Sequence, residues 1–200
     1  MPFGFRTDLF FGDDAEVIHA TGLGDPADHF DLQQAYVTAR APIGAGVDVT
    51  IGKFISPPGT EAFESPDNWN FSRSYLFGFA TPGTHTGVLV SYPLGEWGST
   101  TFGVVNGWDI VDDDNKGKTL LGGVTLTPRE SVSLSAYLVA GPERTRNSRD
   151  KRTLVDLIGT WEPFDKLTVM ANYDFGHESS VTQGTSPTAA NRDGFDSAEW

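Results

Sequence analysis

The sequence is 200 residues long, contains 14 Lys and Arg against 27 Asp and Glu, and has no cysteine. This length suffices for one domain with a core of its own, and the absence of cysteine excludes disulfides and thiolate metal sites. The formal net charge of −13 argues against nucleic-acid binding, because neutralising phosphates requires Lys and Arg.

The first predicted strand is Pro2–Gly12, in which polar and apolar residues alternate. Arg6 and Asp8 fall on one face, because successive side chains of a strand leave opposite faces. Charged side chains are costly in a dry core, whereas a face lined by water accommodates them. The opposite face of this strand is apolar and carries Phe3, Phe5, Leu9 and Phe11.

A loop is predicted at Asp13–Asp31, with one helical turn at Ala15–Ala20. His19 and His29 lie in this loop. We expect both to be exposed and neither to be a metal ligand, because no second ligand occurs at metal-binding spacing.

The next two strands are predicted at Leu32–Ala41 and Gly46–Ile55, joined by a turn at 42–45. Arg40 and Asp48 fall on their polar faces, and Lys53 is expected in polar surroundings.

The segment Ser56–His85 is predicted to be one long inserted loop, with a short helix near Asn70–Phe79. Tyr75–Phe79 is almost continuously apolar and does not alternate, which argues against a strand. An extra spanning strand would also place successive short turns on opposite sides of the sheet. Loops of this length are usually functional, and in a barrel an apolar helical loop can be buried in the lumen.

Two further strands are predicted at Thr86–Leu94 and Ser99–Asp109, with Trp108 on the outward face. The loop Asp109–Gly117 contains Asp112-x-Asp114, as calcium loops do. The twelfth position is Gly123 rather than the Glu that a calcium loop requires, so we predict no metal site.

The region from Lys118 to Gly176 consists of two copies of a strand, a Pro-containing turn and a second strand. The four strands, in chain order, are Lys118–Thr127, Ser131–Ala140, Arg152–Glu162 and Leu167–Gly176. His177–Asp196 is predicted to be a last polar loop, and a new strand begins near Ser197.

Strand length, loop lengths and aromatic placement separate a membrane barrel from a soluble sandwich. The strands have about 10 or 11 residues, which is the length that crosses a bilayer when tilted. Short turns alternate with long loops, as in outer-membrane barrels. Aromatic residues gather at the ends of the apolar face, where membrane interfaces favour them: Trp108, Trp161, Tyr173 and Phe175.

The predicted fold is therefore all-β: an antiparallel, up-and-down transmembrane β-barrel in a single domain spanning residues 1–200. About nine to ten strands are present, with a short helix in the long inserted loop. No run of about 18 apolar residues predicts a transmembrane helix, and Met1–Arg6 does not begin a secretory signal. Since an exported barrel needs a signal, we expect that the chain is a fragment, lacking that signal and the remaining strands.

Eight short motifs, in order along the chain, resemble the OmpL-like outer-membrane β-barrel porin family. They are Gly4–Asp8 with Gly12–Ala15, Gln34–Tyr36, Gly52–Phe54 with Gly59–Glu61, Pro82–Val88, Gly103–Asp109 and Gly141–Glu143. The resemblance implies a passive diffusion channel in the cell outer membrane, in contact with lipid and with small hydrophilic solutes or ions. Pro82-Gly83 stands where the family pattern has Pro-Phe, which affects local packing.

The charged and polar side chains predicted to line or constrict the pore are Arg6, Asp8, Arg40, Asp48, Lys53, Glu61, Arg73, Asp156 and Asn172. Lys53, Glu61, Arg73 and His85 lie in or beside the inserted loop. They could set the field at a constriction, or pair with one another to anchor the loop to the wall. Both roles stay open for Lys53 and Glu61, and a structural role is favoured for His85.

No catalytic motif is present: there is no Gly-x-Ser-x-Gly, no His-Glu-x-x-His and no phosphate loop. We therefore predict no enzyme activity and no cofactor, although the loop carboxylates leave a barrel hydrolase as a minor alternative. The main alternative is a secreted, soluble β-sandwich that binds carbohydrate or a surface partner. It predicts two facing sheets over a dry core. Homo-oligomerisation stays open.

Overall fold

A computed structural model describes residues 2–25, 28–179 and 197–199, which form one sheet of ten strands. Each strand pairs antiparallel with the next along the chain, so the topology is up-and-down. The strands are β1 (Phe3–Phe11), β2 (Phe30–Ala41), β3 (Val47–Ile55), β4 (Thr84–Pro93), β5 (Gly98–Val105), β6 (Thr119–Arg129), β7 (Val132–Gly141), β8 (Arg152–Phe164), β9 (Leu167–Ser179) and β10 (Ser197–Glu199).

Four short helices accompany the sheet in the described part of the chain. They are α1 (Asp13–Ile18), two 3₁₀-helices (Ser65–Asp67 and Gly95–Trp97) and a π-helix (Leu76–Ala80). No helix among the described residues is long and apolar enough to cross a membrane.

One face of the sheet, which we call the outer face, is apolar and exposed. Register carries an unbroken apolar row from β2 to β7: Val37, Ile51, Val88, Val104, Leu120 and Ala140. Val37 is 55 % exposed and Leu120 is 50 % exposed. An apolar surface of this extent needs an apolar environment, which a bilayer supplies.

The opposite, inner face carries the charges of the strand interiors. Register pairs Arg6 with Tyr36, Asp8 with Gln34 and Arg40 with Asp48. Arg6, Asp8, Arg40 and Asp48 therefore lie on the face opposite the apolar row, where the alternation placed them.

The connections alternate in length as predicted. Residues 42–46, 94–97, 130–131 and 165–166 form short turns at one end of the sheet. The longer segments 12–29, 56–83, 106–118 and 142–151 lie at the other end. The helix expected near Asn70–Phe79 is the π-helix Leu76–Ala80, and the strand expected near Ser197 is β10. Most of the predicted His177–Asp196 loop lies outside the described residues, and residues 177–179 extend β9.

The inner face is packed at its loop end. Leu121, Val139 and Leu154 are fully buried there, and Leu89 and Trp108 pack against them. Towards the short turns the same face is polar: Thr125 Oγ1 lies 2.9 Å from Ser135 Oγ, and Ser91 Oγ lies 3.0 Å from Thr101 Oγ1.

Trp108 was predicted to point outward, and this is wrong. β5 ends at Val105 rather than Asp109, so the alternation does not reach the indole. Trp108 packs instead against the buried inner-face cluster and below the guanidinium of Arg152, which lies 4.8 Å from the ring centroid.

The predicted exposure of His19 is also wrong, whereas His29 is exposed as expected. The backbone of Thr21 hydrogen-bonds to the chain after β5, with its N–H 2.7 Å from Asp109 O. This non-local contact folds the segment after α1 inward and buries the imidazole of His19 beside Asp31.

Candidate functional site

The inserted loop, residues 56–83, leaves β3 and returns to β4 but contacts strands far along the sheet. Gly59 N donates to Asp156 Oδ2 at 2.6 Å, and Thr60 Oγ1 donates to Asn172 Oδ1 at 3.4 Å. Asp156 lies on β8 and Asn172 on β9. The loop therefore crosses the inner face and is attached on both sides of it.

Arg73 holds the fold of the inserted loop. Its Nε donates to Ala62 O at 3.2 Å, and its Nη2 donates to Phe63 O and, at 3.3 Å, to Ser65 Oγ. The guanidinium also lies 5.5 Å from the centroid of the Phe77 ring. These contacts support a structural role for Arg73.

Glu61 also stabilises the fold of the inserted loop, through hydrogen bonds from Ser74. Its carboxylate accepts from Ser74 N at 2.9 Å and from the Ser74 hydroxyl. Residues 61–63 and 73–74 are thereby joined into one unit, which begins directly after the contacts of Gly59 and Thr60.

Lys53 lies in a buried ion pair at the loop end of β3. Its Nζ donates to Leu32 O at 2.7 Å and lies 3.3 Å from both carboxylate oxygens of Asp31. The side chains of Lys53 and Asp31 are 4 % and 1 % exposed. Burial this deep supports a structural role for Lys53, which joins β3 to the start of β2, rather than a free charge facing the pore.

His85 ties the inserted loop to the loop that follows β5. Its Nδ1 lies 2.8 Å from Gly107 O, and a carbonyl only accepts, so Nδ1 carries the proton. Nε2 then accepts from Ser56 Oγ at 3.1 Å, and the ring is fully buried. The geometry supports the structural role expected for His85.

Asp109 is a residue that the sequence reasoning missed. Its Oδ1 accepts from Thr84 N at 2.7 Å and from Thr84 Oγ1 at 3.2 Å, which fixes the start of β4. Its φ of +51° is in the left-handed region, which Asp tolerates better than most side chains. The only sequence signal was its place after Gly107-Trp108, at the end of an overlong predicted strand.

Two ion pairs line the inner face away from the inserted loop. Arg6 Nε donates to Asp8 Oδ2 at 2.7 Å, and Gln34 Nε2 donates to the same oxygen at 2.5 Å. Arg40 Nη1 lies 3.6 Å from Asp48 Oδ2, with side chains 50 % and 47 % exposed. Both pairs therefore keep exposed surface on the inner face.

Asp156 and Asn172, which were predicted, lie at the attachment of the inserted loop together with Asp174, which was not. Asn172 Nδ2 donates to Asp156 Oδ1 at 2.6 Å. Asp174 is the register partner of Asp156 on β9. Asp174 shares a strand face with Asn172, two residues before it, but the strand pairing that sets it opposite Asp156 is not visible in the sequence.

Two carboxyl groups in the long loops have shifted pKa values. Burial raises the pKa of Glu143, although hydrogen bonds from Thr119 Oγ1 at 2.5 Å and Trp108 N at 2.7 Å oppose the shift. Partial burial acts to raise the pKa of Asp113 too, but the Lys118 ammonium and Asn115 N–H outweigh it and lower that pKa.

Comparison with known proteins agrees with the fold. A family model described as "Putative beta-barrel porin-2, OmpL-like" matches residues 1–197. No curated protein and no solved structure matches the chain. The match covers nearly the whole sequence, and the single up-and-down sheet has the apolar outer face that such barrels present to lipid. The chain therefore belongs to the OmpL-like family of outer-membrane β-barrel porins.

Proposed function

We propose that this protein is a passive diffusion channel for small hydrophilic solutes or ions, and that it carries no enzymatic activity. The proposal is supported by the two faces of one sheet. One face is apolar and exposed, and the other is charged and is crossed by the inserted loop, which is hydrogen-bonded to Asp156. Charged groups inside a barrel line a water-filled path, and a loop folded across that path narrows it.

The residues proposed to act on passing ions are the half-exposed inner-face charges. Arg6, Arg40 and Asp48 meet this condition, and Asp8, which is 25 % exposed, is included as the partner of Arg6. Glu61 and Arg73 contribute by holding the fold of the inserted loop, and the Lys53 ammonium is buried in an ion pair with Asp31 at the start of β2. The excess of acidic residues favours a mild preference for cations.

Insertion of the purified protein into planar lipid bilayers tests this function. We expect discrete steps in conductance, and migration on detergent gels that changes when the sample is heated. A variant in which residues 60–80 are replaced by a short Gly-Ser linker should give larger steps. A protein that is soluble without detergent and produces no steps would overturn the proposal.

The alternative of a soluble sandwich predicts two facing sheets. The described strands form one sheet whose apolar face is exposed, so we do not retain that alternative.

A further inference from the structure

Two aspartates meet where the inserted loop is attached to the wall. Asp156 on β8 and Asp174 on β9 are register partners, and both are buried on the inner face. Asn172 Nδ2 lies 2.6 Å from Asp156 Oδ1 and 3.4 Å from Asp174 Oδ1, so one amide reaches both carboxyl groups. Two ionised carboxylates this close repel each other, and burial removes the water that would screen them.

No side chain of the described residues supplies the missing positive charge. Arg152, on the same strand, donates to Glu178 Oε2 at 2.9 Å and stacks on Trp108. Glu61, from the inserted loop, is bound to Ser74. On the other side, Tyr137 is the β7 register partner of Asp156. Asp174 Oδ2 has no hydrogen-bond partner within the described part of the chain.

The donors around Asp156 favour a proton over a metal ion. Both of its carboxylate oxygens already accept N–H groups, Oδ1 from Asn172 Nδ2 and Oδ2 from Gly59 N. Asn172 directs its NH₂ group at the pair, whereas its Oδ1 accepts from Thr60 Oγ1. Hard cations need several oxygen ligands directed at one point, and this site presents N–H donors there instead.

We propose that Asp156 and Asp174 share one proton and that the singly protonated pair latches the inserted loop to the channel wall. Asp174 carries the proton and donates its O–H to Asp156, which stays ionised and accepts from Gly59 N. Loss of the proton leaves two buried negative charges. Release of Gly59 and Thr60 would then admit water to solvate them, and the loop would move off β8 and β9.

The proposed latch should hold the loop at low pH and release it at high pH. The latched state holds the proton more tightly than the released state, in which water solvates both carboxylates. Latching is therefore favoured at low pH and is lost as the pH rises and Asp174 gives up its proton. The functional consequence, a narrower path at low pH, rests on the proposed channel function.

A spin label on the inserted loop tests the latch without requiring conduction. The chain has no cysteine, so Ser72→Cys, which is exposed and adjacent to Arg73, provides a unique labelling site. We expect the ratio of immobilised to mobile label to fall about tenfold between pH 4 and pH 9, as expected for loss of one charge-assisted hydrogen bond. Asp174→Asn, whose amide can donate to Asp156 permanently, should keep the label immobilised over the whole range.

Two further variants complete the test. Asp156→Asn should leave the label mobile at every pH, because the ionised acceptor for Gly59 N–H is gone. Asp48→Asn changes an inner-face aspartate that pairs with Arg40, and its label mobility should depend on pH as in the parent protein.

Equal label mobility at all pH values in the parent, or an unchanged pH dependence of the mobility in Asp174→Asn, would overturn the latch. Addition of Ca²⁺ at pH 9 should not restore immobilisation, and restoration would identify a metal site instead. Absence of conductance alongside a normal label titration would refute the channel and leave the latch standing.

Discussion

At the scale of single residues, the half-exposed pair of Arg40 and Asp48 near the short turns separates electrostatic from structural roles. The pair lies 3.6 Å apart, in solvent, on the inner face. Surface pairs of this kind contribute little to stability, whereas an unpaired charge in a pore changes its field.

The substitution Arg40→Leu should therefore leave stability within about 0.5 kcal/mol and increase cation selectivity, because Asp48 loses its counter-charge. Reversal potentials under a KCl gradient measure the selectivity, and thermal unfolding measures the stability. Arg129→Leu, at the end of β6 beside a short turn, is the matched control and should change neither strongly. An unchanged reversal potential in Arg40→Leu would remove Arg40 from the set of pore-lining residues.

Glu143 gives a second prediction at this scale. Burial raises the pKa of Glu143 above its ordinary 4.5, so the folded protein binds this proton more tightly than the unfolded chain. Its contribution to stability is present below pH 4.5 and is lost as the pH rises through the folded pKa. Glu143→Gln keeps an acceptor for Trp108 N and removes the titration. We expect the variant to gain stability relative to the parent at pH 8 and to lose that advantage at pH 4.

The control for this measurement is Asp113, whose pKa is lowered in the folded protein, whereas that of Glu143 is raised. The stability that Asp113 contributes is present above pH 3.8, its ordinary pKa. It disappears as the pH falls through the lower pKa of the folded state. Asp113→Asn should therefore be less stable than the parent at pH 8. Midpoints of heat-induced unfolding in detergent at both pH values measure each difference, and a loss of stability in Glu143→Gln at pH 8 would contradict the assigned cause.

At the scale of elements, the strands were predictable and several of their ends were not. Alternation with period two located β1 to β9, because one face meets an apolar environment and the other meets water. The alternation continues past Val105 to Trp108, and nothing local ends the strand. Its end coincides with packing of the indole against the buried inner-face cluster and Arg152, which depends on strands that follow later in the chain.

The inner-face charges of the site were predictable from the sequence, whereas the contacts of its loops were not. Alternation placed Arg6, Asp8, Arg40 and Asp48 on the inner face, and their register agrees. The contact of Gly59 with Asp156 joins residues 97 positions apart, and the burial of Lys53 depends on Asp31. Contacts of this kind depend on how the loops pack on the inner face, and no local pattern in the sequence encodes them.

The inserted loop provides the prediction at this scale. Arg73→Ala removes the donor to Ala62 O, Phe63 O and Ser65 Oγ, so the loop should loosen while the wall stays intact. We expect larger or noisier conductance steps with unchanged strand content by circular dichroism. Arg149→Ala, in the loop between β7 and β8, is the control and should conduct like the parent. Identical conductance in Arg73→Ala would indicate that the loop does not restrict the path.

At the scale of the whole molecule, the two faces of the sheet meet different environments, lipid outside and water inside. Leu138 lies on the outer face of β7 and is paired with Val155, whereas Ser135 lies on the inner face beside Thr125. Leu138→Arg should cost about 2–4 kcal/mol of unfolding free energy in bilayers, because an arginine on the lipid face is poorly solvated. Ser135→Arg should cost much less. Urea unfolding in vesicles measures both, and equal losses would contradict the assignment of faces.

The most direct test of the account is a scan of single cysteines along β7, Val132–Gly141, in protein reconstituted into lipid. Spin labels at each position report collisions with oxygen, which concentrates in lipid, and with a water-soluble nickel complex. We predict that the two accessibilities alternate out of phase with period two, with oxygen highest at Leu134, Ala136 and Leu138. Labels that respond alike on both faces, or that show nickel access at Leu138 and none at Ser135, would contradict a wall with lipid on one side and water on the other.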